Sequence, residues 1–385
     1  MAKLKVAYFL DVMTEDLDGV SITMHQIIKR LPQGNIEPIF ITPQPPEQTL
    51  PYPVYKCPSW QIPFGSKDYR YARPKKMKNL DKILDEFSPD LLHFSSPSEL
   101  GKYAIHYAKA NGLPVTTIYH THYPSFAQYY LRFVPGINAI TERVMNHLYW
   151  LYRSVDKVFA PTPSMKSYLI GKGVNAGKIE IWGRGVDSAR FNPGLRDIDF
   201  FGASYRSQKK VLFVSRLVKE KEPETLMRLY KLFAQKRPDV TMVVVGGGPM
   251  RPKLERAMPK AVFTGKLTGQ DLAKAYASSD VFVFPSTTET FGNVVLEAMS
   301  SGLPVVAANA GGPGDIIRLS NAGAVVEPRK EQQFFEEIIK LLDDPTYYSK
   351  QSNMARNYAL SQNWDDLCRD LFEIYRSEIE SKNAK

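Results

Sequence analysis

The sequence predicts an α/β protein made of two consecutive parallel-sheet units, and three observations carry that expectation. Short apolar runs rich in Val, Ile and Phe alternate with longer segments of helical periodicity along nearly the whole chain. These runs are continuously apolar, the pattern of strands that helices cover on both faces. A length of 385 residues exceeds what one hydrophobic core ordinarily organises.

In the first half, Lys5–Leu10, Ile36–Ile41, Leu91–Phe94, Val115–Tyr119 and Lys157–Ala160 read as strands. Helical stretches between them include Ser21–Leu31, Pro74–Phe87 and Leu100–Asn111. The second half repeats the scheme with strands at Lys210–Ser215, Thr241–Val245, Ala261–Thr264, Val281–Phe284, Pro304–Ala307 and Ala324–Val326. Its helices are Pro223–Gln235, Pro252–Met258, Gly269–Ala277, Asn293–Ser301 and Glu331–Leu342. Asn192-Pro193-Gly194 and the Gly202-Ala203-Ser204 stretch interrupt the pattern. The expected units are therefore residues 1–195 and 196–363, with a closing helix over Trp364–Ile379. Ligands of open parallel sheets bind beyond the carboxyl ends of the strands, so the site is expected there, in a cleft between two facing sheets.

Hydrophobic residues at 43% and charged residues at 23% exclude a disordered chain. No apolar run approaches the ~18 residues of a membrane span. The start, Met1 to Leu10, is basic and then apolar, but Asp11 ends the apolar stretch early, and the segment reads as a strand of a cytosolic protein. Cys57 and Cys368 lack metal-type spacing, which argues against a disulfide scaffold or a zinc site. The formal charge of +10 favours anionic partners. Six basic residues cluster between Ser66 and Lys78 (Lys67, Arg70, Arg73, Lys75, Lys76, Lys78) with one acid, Asp68, and with Tyr69, Tyr71 and Met77 interleaved. The cluster is either a solvated loop leading into a helix or a patch that rests on an anionic membrane surface. No recognition motif accompanies it, so nucleic acid is not expected as a partner.

The segment Phe284–Pro304 is the richest in chemistry. Pro285 stops a strand, a polar loop carries Glu289, and a helix begins near Phe291 or Gly292. Thr290 is the expected cap, and the amides of Gly292, Asn293 and Val294 would face an anion. Glu297 stands in an otherwise apolar helix, where a carboxylate calls for a partner. Glu289 and Glu297 could together grip sugar and ribose hydroxyls. Arg216 and Lys221 lie on the loop after another strand, where two cations could clamp a diphosphate. His120 and His122 follow a first-unit strand among Tyr119, Tyr123, Tyr129 and Tyr130, but no third ligand completes a metal site. Gly19, after Asp18, permits close approach to a phosphate, and Ser21 is placed to cap the next helix. Gly246-Gly247-Gly248-Pro249 reads equally as a ligand loop or a plain turn. Asp16-Leu17-Asp18 and Asp197-Ile198-Asp199 match a short metal-binding spacing and read as chance.

Taken together these residues resemble glycosyltransferase family 4, whose members have the GT-B fold of two Rossmann-like domains facing across a cleft. Glu289 and Glu297 match the family's E-x7-E element, Arg216 and Lys221 its diphosphate-binding pair, and His120 the histidine that meets the transferred sugar. Trp182–Asp187 with Phe191–Pro193 is similar to the stretch before the interdomain linker, and Phe263–Leu267 to the turn whose backbone holds the base. The resemblance implies His120, Arg216, Lys221 and Glu289 as catalytic residues. It implies Gly19, Lys266, Leu267, Phe291, Gly292, Asn293, Val294 and Glu297 as donor-binding residues. It also implies retention at the anomeric carbon, no metal or other cofactor, and a last helix that crosses back onto the first domain. Many members carry Gly-Gly where this chain has Asp18-Gly19. The Asp18–Ser21 and His120–Pro124 segments look closer to the branch that makes sulfoquinovosyl-, glucosyl- or mannosyl-lipids. The expected reaction moves a hexose from a nucleotide diphosphate sugar, of the GDP-mannose or UDP-glucose type, onto a lipid or glycan at the cytosolic membrane face. Two other activities fit the same fold: a nucleotide-sugar 2-epimerase and a non-catalytic nucleotide-sugar-binding protein.

Overall fold

The computed structural model describes residues 3–14, 19–61, 70–122 and 137–384, without the side chains of 137–141. By contacts the chain divides into two compact units. One gathers the described residues up to Gly183 and those from Trp364 onward, and the other holds Arg184–Asn363.

The first unit is built on seven parallel strands: β1 (Leu4–Phe9), β2 (Ile36–Thr42), β3 (Val54–Lys56), and, beyond the short antiparallel pair β4 (Ser59–Gln61) and β5 (Arg70–Ala72), β6 (Leu91–Phe94), β7 (Val115–Ile118), β8 (Lys157–Ala160) and β9 (Ile179–Ile181). Their order is β3-β2-β1-β6-β7-β8-β9. Along β1, Ala7 and Phe9 enter one apolar layer while Val6 and Tyr8 enter the other, as the two-residue period of a strand requires. The chain runs outward from β1 to β3 and then returns to lay β6 against the other side of β1. The order thus reverses between β1 and β6, and all seven strands deliver their following loops to one edge.

The last helix, Trp364–Asn383, belongs to the first unit. Its face of Trp364, Cys368, Leu371, Phe372 and Tyr375 packs into the layer that also holds Met24, Ile27 and Ile28 of helix Gly19–Arg30. Trp182 donates from its indole nitrogen to the Leu367 carbonyl at 2.7 Å, and Lys382 pairs with Asp156 at 3.0 Å. Tyr375 brings its hydroxyl to Nδ1 of buried His93 at 2.9 Å, where Thr116 Oγ1 also sits at 2.9 Å. Burial pushes the His93 pKa down to about 3, so the ring stays neutral and serves as a hydrogen-bonding spacer within the apolar layer.

The second unit has β10 (Lys209–Val214), β11 (Val240–Val245), β12 (Val262–Gly265), β13 (Val281–Phe284), β14 (Val305–Ala308) and β15 (Gly323–Val326), all parallel. The order β12-β11-β10-β13-β14-β15 reverses between β10 and β13. Both units are Rossmann-like, with one hydrophobic core surrounding the second sheet and two layers sandwiching the first.

The structure corrects the sequence reading in places. Pro74–Phe87 is not one helix: a 3-10 turn, Pro74–Lys76, precedes helix Leu80–Phe87. Met77 leaves the helical region at φ −88° and ψ 88°, which re-phases the chain so that Leu80 and Leu84 turn into the core. Helices Ile137–Ser154, Pro163–Gly171, Gly311–Ser320 and Pro345–Ser361 and strands β3, β4, β5 and β9 are additions. The strands are three residues each, too short to show a period.

Candidate active site

In the second unit every candidate residue lies past the carboxyl end of a strand or on the helix that follows. Arg216 and Lys221 follow β10, and Glu289 follows β13, the two strands between which the order reverses. Lys221 is 7% exposed, and its ammonium donates directly to Glu289 Oε1, so the two loops are bonded across the crevice where open sheets bind ligands. Arg216 stays exposed, with its guanidinium 3.9 Å from the buried Glu220 carboxylate. Glu222, the turn residue after Lys221, has φ 54° and is held there by Arg329, whose Nη2 donates to its Oε1 at 2.9 Å. A non-glycine residue in the left-handed region stores strain that the surroundings must offset, and here the guanidinium clamp does so.

Gly292 occupies the cap position of helix Asn293–Ser300 with φ 94°, so Thr290 is not the cap. The backbone amides of Asn293 and Val294 fall in the first turn of that helix, where no intrahelical carbonyl reaches them. Phe291 is buried beneath them in the apolar core. Glu297, half-buried one turn further on, accepts a hydrogen bond from Tyr276 Oη at 2.9 Å. Burial raises its pKa, against the hydrogen bond from Tyr276 and the charge of Arg190, which lower it.

Two glycine pairs brace this constellation. Gly247 accepts from the Leu217 amide at 2.8 Å, and a Cβ on Gly246 would fall 1.9 Å from the Ser215 carbonyl oxygen. The Gly246–Gly248 loop therefore supports the backbone that carries Arg216, a role its sequence alone left open. Gly246 also donates to the Gly265 carbonyl at 2.8 Å, linking this loop to exposed Lys266 and half-buried Leu267 after β12. Gly311 and Gly312 went unnoticed in the sequence. Gly312 donates to the Glu289 carbonyl at 3.0 Å, and a Cβ there would lie 2.3 Å from Phe291 Cα. Only a glycine lets helix Gly311–Ser320 seat against the Glu289–Phe291 loop. The available signal was the Gly-Gly-Pro-Gly run that two residues separate from the preceding strand.

Gly19 and His120 lie on the first unit. Gly19 opens helix Gly19–Arg30, and its carbonyl accepts from Thr23 Oγ1 at 2.7 Å. Ser21 is inside that helix and fully buried, so it is not the cap. His120 is half-buried, two residues beyond β7, while His122 packs its ring 4.6 Å from that of Tyr168. Burial, and then the charge of Lys172, lower the His122 pKa and keep that ring neutral.

Asp11 is a further residue that the sequence reading passed over. It lies two residues past β1 and accepts from Ser98 Oγ at 2.8 Å, while its amide donates to Ser95 Oγ at 3.4 Å. Ser95 and Ser98 follow β6, so this carboxyl bridges the first sheet at its own reversal point, as Lys221 and Glu289 bridge the second. Burial pushes its pKa up to about 7, only partly offset by the Ser98 hydrogen bond. The signal was present as a lone acid ending an apolar strand. Asp16, Asp18, Lys67, Tyr69, Tyr123, Tyr129 and Tyr130 lie outside the described residues. Asp199 is engaged by Arg206 at 2.6 Å, and Asp197 accepts from the Asp199 amide at 3.0 Å, so that acidic pair stiffens a loop. Among the described residues no three His, Cys, Asp or Glu side chains gather closely enough to hold a metal.

Comparison with known proteins agrees with this arrangement. Residues 17–190 match the family model described as Glycosyltransferase Family 4, and residues 196–360 match that described as Glycosyl transferases group 1. A GDP-mannose-dependent alpha-mannosyltransferase of Mycobacterium tuberculosis is 31% identical over 392 residues, covering 98% of this chain and 97% of its own. The sulfoquinovosyl transferase of Arabidopsis thaliana is 38% identical over 259 residues, covering 65% of this chain and 49% of its own. In fold, a sucrose-phosphate synthase from Thermosynechococcus elongatus superposes with a TM-score of 0.77 at 20% identity, over 98% of this chain and 100% of that one. Anabaena HepE in complex with UDP gives a TM-score of 0.76 at 17% identity, over 97% and 100%. The sheet architecture, the paired loops at each reversal point and these matches lead to one assignment: the chain belongs to glycosyltransferase family 4 and is a glycosyltransferase of the GT-B type.

Proposed function

We propose that the protein is a retaining hexosyltransferase that uses GDP-mannose, or else a donor of the UDP-glucose type, and a lipid or lipid-linked glycan acceptor at the cytosolic face of a membrane. The observation that carries this reading is the Lys221–Glu289 bond at the β10/β13 reversal, beside the amides of Asn293 and Val294. A cation, a carboxylate and a helix start are what a phosphate-linked sugar demands: charge for the leaving group and acceptors for its hydroxyls. The GDP-mannose-dependent relatives match along 98–99% of this chain, which supports that donor first.

In this reading Arg216, Lys221 and the helix amides hold the diphosphate, Glu289 and His120 the sugar hydroxyls, and Glu297 the ribose. Lys266 and Leu267 flank the base, and Gly19 admits the phosphate. The bond from the anomeric carbon to the phosphate oxygen breaks while the bond to the acceptor oxygen forms on the same face. The departing phosphate takes the acceptor's proton, and Asp11 holds the acceptor hydroxyl. Negative charge grows on the phosphate as the bond breaks, so preorganised donors there are each worth ~3 kcal/mol of barrier. The diphosphate charge is met by side chains and amides, and the reading assigns no metal or other cofactor a role.

The test is nucleotide diphosphate release from GDP-mannose, UDP-glucose and UDP-sulfoquinovose, each with and without dispersed diacylglycerol or phosphatidylinositol, with the anomeric configuration of the product read by NMR. Lipid-stimulated release from one donor with retention is the expected result. Release independent of lipid overturns the acceptor, an inverted product overturns the mechanism, and epimerised or merely bound donor overturns transfer itself.

A further inference from the structure

We infer that the paired strands β4 and β5 and the basic turn Arg73–Lys78 after them form a docking surface for an anionic bilayer, on the same sheet edge as the proposed acceptor subsite. This deepens the lipid-acceptor reading and rests on it for its purpose, though not for its measurement. Trp60 and Tyr71 stand directly opposite each other in the antiparallel pair, with ring centroids 5.6 Å apart. Both face outward, with Trp60 55% and Tyr71 42% exposed. Cross-strand aromatic pairs stabilise a sheet, and here both rings still keep about half of their surface open. On the other face Ala72 is buried in the first unit's core, so the paired strands are anchored while their aromatic face is presented. Burial, and then the nearby Glu99 carboxylate at the start of the helix that Ser98 caps, raise the Tyr71 pKa.

The charge around the pair selects the partner. Arg73 places its guanidinium 5.0 Å from the Trp60 ring centroid. From Arg70 to Lys78 the chain reads Arg-Tyr-Ala-Arg-Pro-Lys-Lys-Met-Lys, five cations without an acid, and Lys75, Lys76 and Lys78 are exposed. Trp and Tyr with an apolar body and a polar tip favour the depth of lipid headgroups, and lysines beside them favour anionic ones. A protein partner of ordinary polarity would need the rings but not this single-signed cluster. The position is also apt. The paired strands follow β3, so they emerge at the carboxyl edge of the first sheet, the edge that carries Asp11, Ser98 and His120.

The experiment is flotation of the full chain with phosphatidylcholine vesicles, with and without one part in three phosphatidylglycerol, alongside depth quenching of tryptophan emission by brominated lipid. Binding only to the anionic vesicles, weakened by salt, with quenching that Trp60→Phe removes, is the expected result. Three cations at about fivefold each predict that Lys75→Glu, Lys76→Glu and Lys78→Glu together weaken binding about 100-fold or more. Trp60→Ser with Tyr71→Ser should weaken it while leaving salt sensitivity. A cooperative thermal unfolding transition for each variant checks that the chain is folded. Absence of binding by the parent chain, undiminished binding by both folded variants, or a self-association that protects Trp60 from quenching without vesicles overturns the inference. Vesicle binding as expected, with no lipid-stimulated transfer from any donor, would sustain docking and sink the lipid-acceptor reading instead.

Discussion

Replacing Lys221 with Met separates a catalytic cation from a structural one. Lys221 is 7% exposed and bonded to Glu289, whose side chain keeps 26% of its surface open. Breaking a fully buried pair by removing one partner costs about 3–5 kcal/mol. Because water reaches Glu289, the stability loss here should be smaller, about 1–2 kcal/mol. Loss of one preorganised donor to the leaving phosphate raises the barrier by about 2.7–4 kcal/mol, a 10²–10³-fold fall in kcat. The double variant Lys221→Met/Glu289→Gln decides between the two contributions. It neutralises the stranded carboxylate and should recover most of the lost stability, yet none of the lost turnover. The assays are steady-state nucleotide diphosphate release and thermal unfolding on the same preparations. Turnover within fivefold of the parent chain for Lys221→Met, or activity restored in the double variant, would refute the assignment of Lys221 to the phosphate.

Gly312→Ala forces a Cβ to within 2.3 Å of Phe291 Cα, so kcat should fall more than about tenfold with a lowered Tm, whereas Gly247→Ala, with open space around its Cβ, should be nearly silent. The folded-state pKa of Asp11 is raised from 3.8 to about 7, so ionisation disfavours the native state. Its cost is absent below the unfolded-state value and grows as pH rises toward 7. Asp11→Asn should therefore gain stability relative to the parent chain between pH 4 and 8, by at most about 4 kcal/mol because the group is only half-buried. Turnover should drop at the same time, and a flat difference in unfolding free energy across that range would refute the buried-acid reading. Tyr375→Phe removes one of two hydroxyls at His93 Nδ1 and should cost about 1 kcal/mol in denaturant unfolding, while Tyr375→Ala should cost about 3–5 kcal/mol through the cavity it opens.

Much of this was legible in the chain itself, because strands buried on both faces advertise themselves as unbroken apolar runs. Val281–Phe284 and Lys157–Ala160 were bounded to the residue by sequence for that reason. The candidate site residues stood out as polar groups placed directly after such runs, where an open sheet leaves room for ligand. Three-residue strands such as Ile179–Ile181 carry no period, and a helix opening Gly-Gly-Pro-Gly contradicts its own propensities. Tertiary packing overrode them: glycine stands at 311 and 312 because only a residue without a Cβ fits against Glu289 and Phe291. The same holds for Asp11, whose acid was visible in the sequence while its partner Ser98 lies 87 residues away. Local pattern determined which segments are strands and helices, since burial periodicity acts within a few residues. Which loops meet at a reversal point, which glycine braces which carboxylate and which acid has its pKa raised by burial depend on contacts between distant segments, and only the folded chain decides them.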